Sequence, residues 1–453
     1  MNKFIFSAIF MVASLYSLQA QTNPVIIDWL INATGIQGSH YVQGNSTPIN
    51  DNIDANVQSV QYSNDWAYIN THGIPAYTTG PFLDGNPSLA SDQSAIYRFT
   101  LNPTENTGTS TSTTGGNIGN FINGVSLFDY RDGVAWNPTT SALCGGPGNP
   151  PCPGGPMSSQ DWNRDAVPAE KGGFDCAKAH PAMGNYHHHQ NPSAFDLDLV
   201  TVSTICDLYA SDGLYNINPN NHSPLIGFAY DGFPIYGAYA YQNADGTGAI
   251  VRMKSGYELL TNTTRANGPN VNATYFSGYF REDYQFVANT ADDILDEHNG
   301  RFCITPEYPN GIYCYFTTVD ANWNSAYPYV VGPTFYGNVT SGKVNNINEA
   351  VTTYVEDTTT TTTGLINKEE LDFEIHIMPN PSSDFIAVQV DNLAQSDFEI
   401  SLIDITGKLV KKSRLKQGST VSYLDIQTVY AGAYIVVVSS DKGYSTRNVL
   451  IER

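Results

Sequence analysis

The 453-residue chain is 41% hydrophobic and 12% aromatic, enough for two or three packed domains and too apolar for wholesale disorder. Its 43 acidic against 21 basic residues give a formal charge of -22, a field that repels phosphate backbones and anionic lipid and so excludes nucleic acid and membrane headgroups as natural partners. Charged residues make up only 14%, whereas Gly (39), Pro (25) and Tyr (29) abound, which favours strands and turns over long solvated helices.

Residues 1–20 read as a secretory signal peptide. Lys3 supplies the positive start, Phe4 to Tyr16 the apolar run, and Ser17 to Ala20 a cleavage site in which Leu18 is bulkier than usual. That run is too short to span a bilayer, and no membrane-spanning segment is expected further on. An exported chain meets oxidising conditions, where its six cysteines are free to pair. Cys144 and Cys152 bracket a Gly/Pro loop and are placed to close it. Cys303 and Cys314 flank the turn Pro306 to Gly311 and would face one another in a hairpin, leaving Cys176 and Cys206 by elimination. A thiolate metal site is the rival use of these cysteines, ranked lower because no CxxC pair exists.

A β-rich body is expected over residues 21–350. Val57 to Tyr62, Ala95 to Phe99 and Leu225 to Tyr230 alternate as strands do, with turn signals such as Asp231-Gly232 between such runs. One modest helix is predicted over Ala291 to Asn299, where acidic residues open the segment. Six consecutive threonines, Thr358 to Thr363, have nothing to pack and mark residues 351–371 as a linker. Residues 372–453 carry alternating runs at Phe385 to Val390, Phe398 to Ile405 and Tyr434 to Val438, the layout of a small β-sandwich. The fold class is therefore mainly β throughout.

The C-terminal segment resembles a known export tag. Pro379-Asn380-Pro381, the strand-turn-strand Ile400 to Val410 and Gly432 to Val438 follow one another as in the C-terminal sorting domain of the type IX secretion system. That resemblance implies the type IX secretion machinery as a partner. It also implies passage from the periplasm across the outer membrane, with the product either released or held at the cell surface.

Chemistry is concentrated in one stretch. Five of nine histidines fall between His180 and His222, three of them consecutive at His187, His188 and His189. On an extended backbone His187 and His189 project from one face and His188 from the other, so His187 and His189 can share a metal. His180, turned back by Pro181 to Asn185, is the expected third ligand and His222 a fourth. Imidazoles without thiolates suit copper or zinc, a divalent metal cofactor in either case. Asp175 and Asp231 are the carboxylates expected to orient an imidazole or serve as a general base, although Asp231-Gly232 reads first as a turn. His188 is expected toward solvent or behind the ligands, His298 at a helix end, and His40, His72 and His376 in structural roles.

From about Asn56 to Asn338 the chain also resembles the YHYH-domain proteins. The likeness rests on Gly124 to Phe128, Phe174-Asp175 through His180-Pro181, Tyr186 to His189, His222 to Gly227, Asp231 to Gly237, Asp296 to Arg301 and Thr305 to Pro309. His188 stands where the name-giving motif has its second tyrosine, and Cys314 lies in a second Tyr-x-Tyr strand where related proteins can show histidine. The resemblance implies no particular reaction. A secreted metal-binding protein is the leading reading, a metalloenzyme if the metal activates water or cycles between redox states. The alternatives are a carbohydrate-binding protein whose aromatics stack on an extracellular polymer or small molecule, and a structural surface protein whose histidines merely satisfy one another.

Overall fold

The computed structural model describes residues 23–452 except 34, 46, 84–87, 147, 155–159, 193–221, 323, 356–368, 371–374, 391–396, 405–408, 418, 428 and 441–442. The signal peptide, the threonine run and Cys206 lie outside the described residues. The chain divides into two compact units, 1–354 and 355–453.

A single helical turn, α1 (Pro24–Ile27), opens the body, capped by the Asn23 side chain on the Val25 N–H. Three antiparallel strands follow, β1 (Val57–Tyr62), β2 (Trp66–Thr71) and β3 (Ala95–Thr100). Along β3 every second residue is buried, the period-two signal legible in its sequence. The central sheet takes β4 (Asn117–Phe121) and β5 (Ser126–Phe128), with β6 (Arg131–Asn137) leaving it for a smaller sheet. It continues with β7 (Ala179–Ala182), β8 (Asn185–His188), β9 (Leu225–Ala229), β10 (Pro234–Tyr236), β11 (Gly300–Cys303) and β12 (Ile312–Phe316). Finally β13 (Gly342–Val344) pairs with β3 and β14 (Thr352–Thr353) with β1, so the first sheet is closed by the last residues of the body. The body thus runs a few residues past position 350, into the start of the predicted linker.

The central sheet has eight strands in the order β7-β8-β5-β4-β9-β10-β12-β11. Pairing is antiparallel except between β8 and β5 and between β10 and β12. Its apolar residues join those of the first sheet in one core containing Trp29, Phe99, Phe121, Phe228, Tyr315 and Phe316. A smaller cluster, Tyr77, Val125, Ala177, Ala179 and Tyr186, lies under the β7–β8 hairpin.

Residues 291–299 form turns and bridges instead of the predicted helix. Asp296, two residues before His298, accepts the N–H groups of His298 and Gly300, a side-chain turn that competes with helix formation. A second α-helix among the described residues of the body is α2 (Ala166–Glu170), whose N-cap Asp165 accepts from Val167. Asp132-Gly133, which reads as a turn, lies within β6, where Gly133 takes a positive φ.

Cys144 and Cys152 are disulfide-bonded, as their loop suggested. Cys176 is also in a disulfide. Cys303 and Cys314 stand as buried free thiols.

In the C-terminal unit a five-stranded and a three-stranded sheet enclose one core. Phe385–Val390 matches the predicted run, Gly432–Ser439 covers Tyr434 to Val438, and Phe398–Asp404 matches its run up to Ile405, which lies outside the described residues. Ile386 and Val388 from the smaller sheet pack with Leu402, Val436 and Val438 from the larger. No helix among the described residues is long and apolar enough to cross a membrane.

Candidate metal centre

The β7–β8 hairpin positions the first ligands. His180 and His187 are paired directly across it, and His189 follows just beyond β8 on the same side as His187. One ligand atom from each of the three lies within 4.8 Å of the others. The rings of His180 and His187 are 4.7 Å apart, and those of His187 and His189 4.8 Å.

Hydrogen bonding fixes which nitrogens are free. His187 Nδ1 is 2.9 Å from the Asn185 carbonyl and His189 Nδ1 is 2.6 Å from the Asp129 carbonyl. A carbonyl only accepts, so each Nδ1 carries the proton and each Nε2 of a neutral ring carries a lone pair. Those two Nε2 atoms are 3.1 Å apart. Two lone pairs at that distance repel, so either a proton on one Nε2 or a metal ion between the two has to occupy the contact. A tetrahedral metal with about 2.0–2.1 Å bonds would hold two nitrogens about 3.3 Å apart.

A fourth group, Glu170 at the end of α2, was not foreseen from the sequence. Its Oε2 lies 3.2 Å from His180 Nε2 and 3.3 Å from His189 Nε2. That buried oxygen has hydrogen-bond geometry to neither, and His180 Nδ1 is likewise buried without a hydrogen-bond partner. Two facing lone pairs, an orphan carboxylate oxygen and an orphan ring nitrogen together fit a metal ion.

The electrostatics divide the histidines. Burial, then the neighbouring His189 and His180, push His187 far below its usual range and keep the ring unprotonated. Burial opposes ionisation of Glu170, but His180 and His189 outweigh it and hold the carboxyl well below the ordinary range. Burial likewise works to lower His189, and Glu170 overcomes it to raise the ring. Phe128 stacks on His187 at 3.9 Å and Phe174 stands edge-on to His180 at 4.9 Å, walling off water on those sides. His187 is 1% and His189 4% exposed, whereas the Glu170 side chain is 25% exposed and marks the open side.

The other candidates lie elsewhere. Asp175 faces away from the trio and accepts from Tyr186 Oη at 2.8 Å and from the N–H groups of Gly80, Ala177 and Ala179. Asp231 sits in the β9–β10 turn, bonded to Tyr315 Oη and the Gly337 N–H. His222 packs against Tyr236 and Tyr241 in the other half of the sheet and is not one of the converging three. His188 does point away from the trio, but into the core rather than toward solvent. It is wholly buried, with Nε2 3.0 Å from Tyr77 Oη. His298 meets Thr334 Oγ1 at 2.6 Å in a turn, not at a helix end.

Residues 376–452 match the family described as secretion system C-terminal sorting domain. This tag directs the chain across the outer membrane to the cell surface or the extracellular space, and its partner is the type IX secretion system. No curated protein matches the chain. The family described as YHYH protein matches residues 96–328, which span the central sheet and its histidine hairpin, so the chain belongs to the YHYH family.

Proposed function

We propose that the exported body is a metal-binding protein whose zinc or copper ion is held by His180, His187 and His189, with Glu170 beside them. The observation that carries this reading is the 3.1 Å approach of two Nε2 atoms whose partner nitrogens are both committed to carbonyls. Three imidazoles and one carboxylate suit Zn(II) or Cu(II) better than magnesium or calcium, which prefer oxygen alone. When bound, such an ion supplies Lewis acidity or, for copper, one-electron chemistry. Glu170, part exposed and adjacent to two ligands, is the ionised carboxylate placed to complete or orient the donor set, a place the sequence reading gave to Asp175 and Asp231.

The carbohydrate-binding alternative draws little support from the aromatic residues. Tyr77, Tyr130, Tyr186, Tyr236 and Tyr315 are each fully buried, so much of the tyrosine content is core. The test is elemental analysis of protein lacking a polyhistidine tag, beside His187→Ala and His189→Ala variants. About one zinc or copper per chain in the wild type and a loss of at least tenfold in each variant are expected. Equal metal in all three would end this reading.

A further inference from the structure

The central sheet is built twice. In the first half β4–β5 turns at Asn123-Gly124, and in the second β9–β10 turns at Asp231-Gly232, both glycines with positive φ. Between the halves, Gly227 pairs with Phe121 and Gly119 with Ala229, a self-complementary register about a pseudo-twofold axis. Each outer hairpin is entered through the same turn. Asp175 N–H donates to Ala179 O and Lys178 N–H to Asp175 O, while Asp296 N–H donates to Gly300 O and Asn299 N–H to Asp296 O. Lys178 and Asn299 share a left-handed backbone, φ 65° and 68°. Tyr186 Oη bonds Asp175 as Tyr313 Oη bonds Asp296. In the parallel pairs His188 opposes Leu127 and Tyr315 opposes Ile235.

This correspondence puts Arg301 in the place of His180, Cys314 in that of His187 and Phe316 in that of His189. Two of the three ligand positions thus hold no metal-binding group. Arg301 and Cys314 are paired across β11–β12 as His180 and His187 are across β7–β8. Cys303, paired with Ile312, stands on the same face, diagonally opposite Cys314. Both thiols are completely buried, and Cys314 Sγ lies 3.5 Å from the carbonyl oxygen of Ile312, the residue paired with Cys303. We infer that the second half has exchanged a cross-strand metal site for a cross-strand covalent link, a Cys303–Cys314 disulfide formed when the exported chain meets an oxidant. Two buried cysteines on one face of neighbouring strands, in a chain whose Cys144, Cys152 and Cys176 are already oxidised, are candidates for it.

The oxidant is an external disulfide, acting before β11 and β12 are enclosed. The Cys303 thiolate attacks one sulfur of that disulfide and releases one thiol. The Cys314 thiolate then attacks Cys303 Sγ and releases the second, so the two protons and two electrons of the pair end on the external sulfurs. Contact with Cys314, aided by Arg301 and against burial, lowers the Cys303 thiol, which favours it as the attacking group.

The reduced, denatured full chain is refolded in a glutathione couple until Cys144 and Cys152 resist alkylation, then unfolded in denaturant with iodoacetamide and no reductant. A linked peptide pair containing Cys303 and Cys314, with neither alkylated, is expected. Alkylation of both would overturn the inference. In a second measurement the Cys303→Ser, Cys314→Ser double variant should melt roughly 5 °C below the oxidised wild type. Identical melting would count equally against the link. Neither readout depends on metal.

Discussion

At the scale of single residues, the proposed site separates groups placed to hold a cation from groups that hold the hairpin. Glu170→Gln keeps the shape of the side chain and removes its charge. It should weaken metal affinity about 10- to 100-fold, read by competition with a chromophoric chelator. Tyr186→Phe, on the opposite face, should leave metal content unchanged and cost about 2 kcal/mol in denaturant unfolding through its lost bond to Asp175. The trio was legible because alternation on an extended strand sends His187 and His189 one way and His188 the other. Glu170 was not, because it lies in a short Ala-Val-Pro-Ala-Glu helix with no motif, and only tertiary packing brings it to the histidines. His222 looked equivalent to His180 in sequence, since nothing in the sequence tells which half of an eight-stranded sheet a histidine will join.

Asp231 offers a pH test at the same scale. Burial raises its carboxyl to about 6 from the ordinary 3.8, against the bonds from Tyr315 and Gly337. The folded chain therefore holds this proton more tightly than the unfolded one. Its contribution to stability is fully present below pH 3.8 and is lost as pH rises to about 6. Asp231→Asn should flatten that part of the stability curve, seen as a smaller difference between urea midpoints at pH 4.5 and 7.

At the scale of elements, the two inner hairpins depend on their glycines. Gly124 has φ 81°, and a Cβ there would stand 2.2 Å from Thr71 Oγ1; Gly232 has φ 89°, with Thr100 Cγ2 at 2.5 Å. Gly124→Ala and Gly232→Ala should each destabilise the body by about 1–3 kcal/mol, measured by thermal unfolding. Strands such as Ala95–Thr100 were readable because half their residues meet core and half do not. The segment 291–299 misled because acidic residues at its start suit a helix, yet Asp296 captures the local N–H groups for a turn. The repeated construction of the sheet was hidden for a related reason. Its correspondence lies in turns and registers, while the side chains at the ligand positions have changed.

At the scale of the whole molecule, the tail addresses the chain and the body carries the histidine cluster. A chain ending at Tyr354 should lose export across the outer membrane while its body keeps the melting temperature of the full protein, checked by cell fractionation and calorimetry. Export was readable from Pro379-Asn380-Pro381 and the strands that follow. The reaction, if the ion supports one, was not, because a family known by its residue string conveys ligands and no substrate.

The pairing of Tyr62 with Thr352 has a consequence for timing. Nearly the full length of the body separates these partners, so the loop they close is among the longest the body contains, and bringing such distant segments together slows folding. A chain emerging in order from its N terminus can assemble the histidine hairpin early. It cannot finish the sheet around Val57–Tyr62 until residues beyond 350 arrive, so a molecule arrested short of that point keeps an open strand edge.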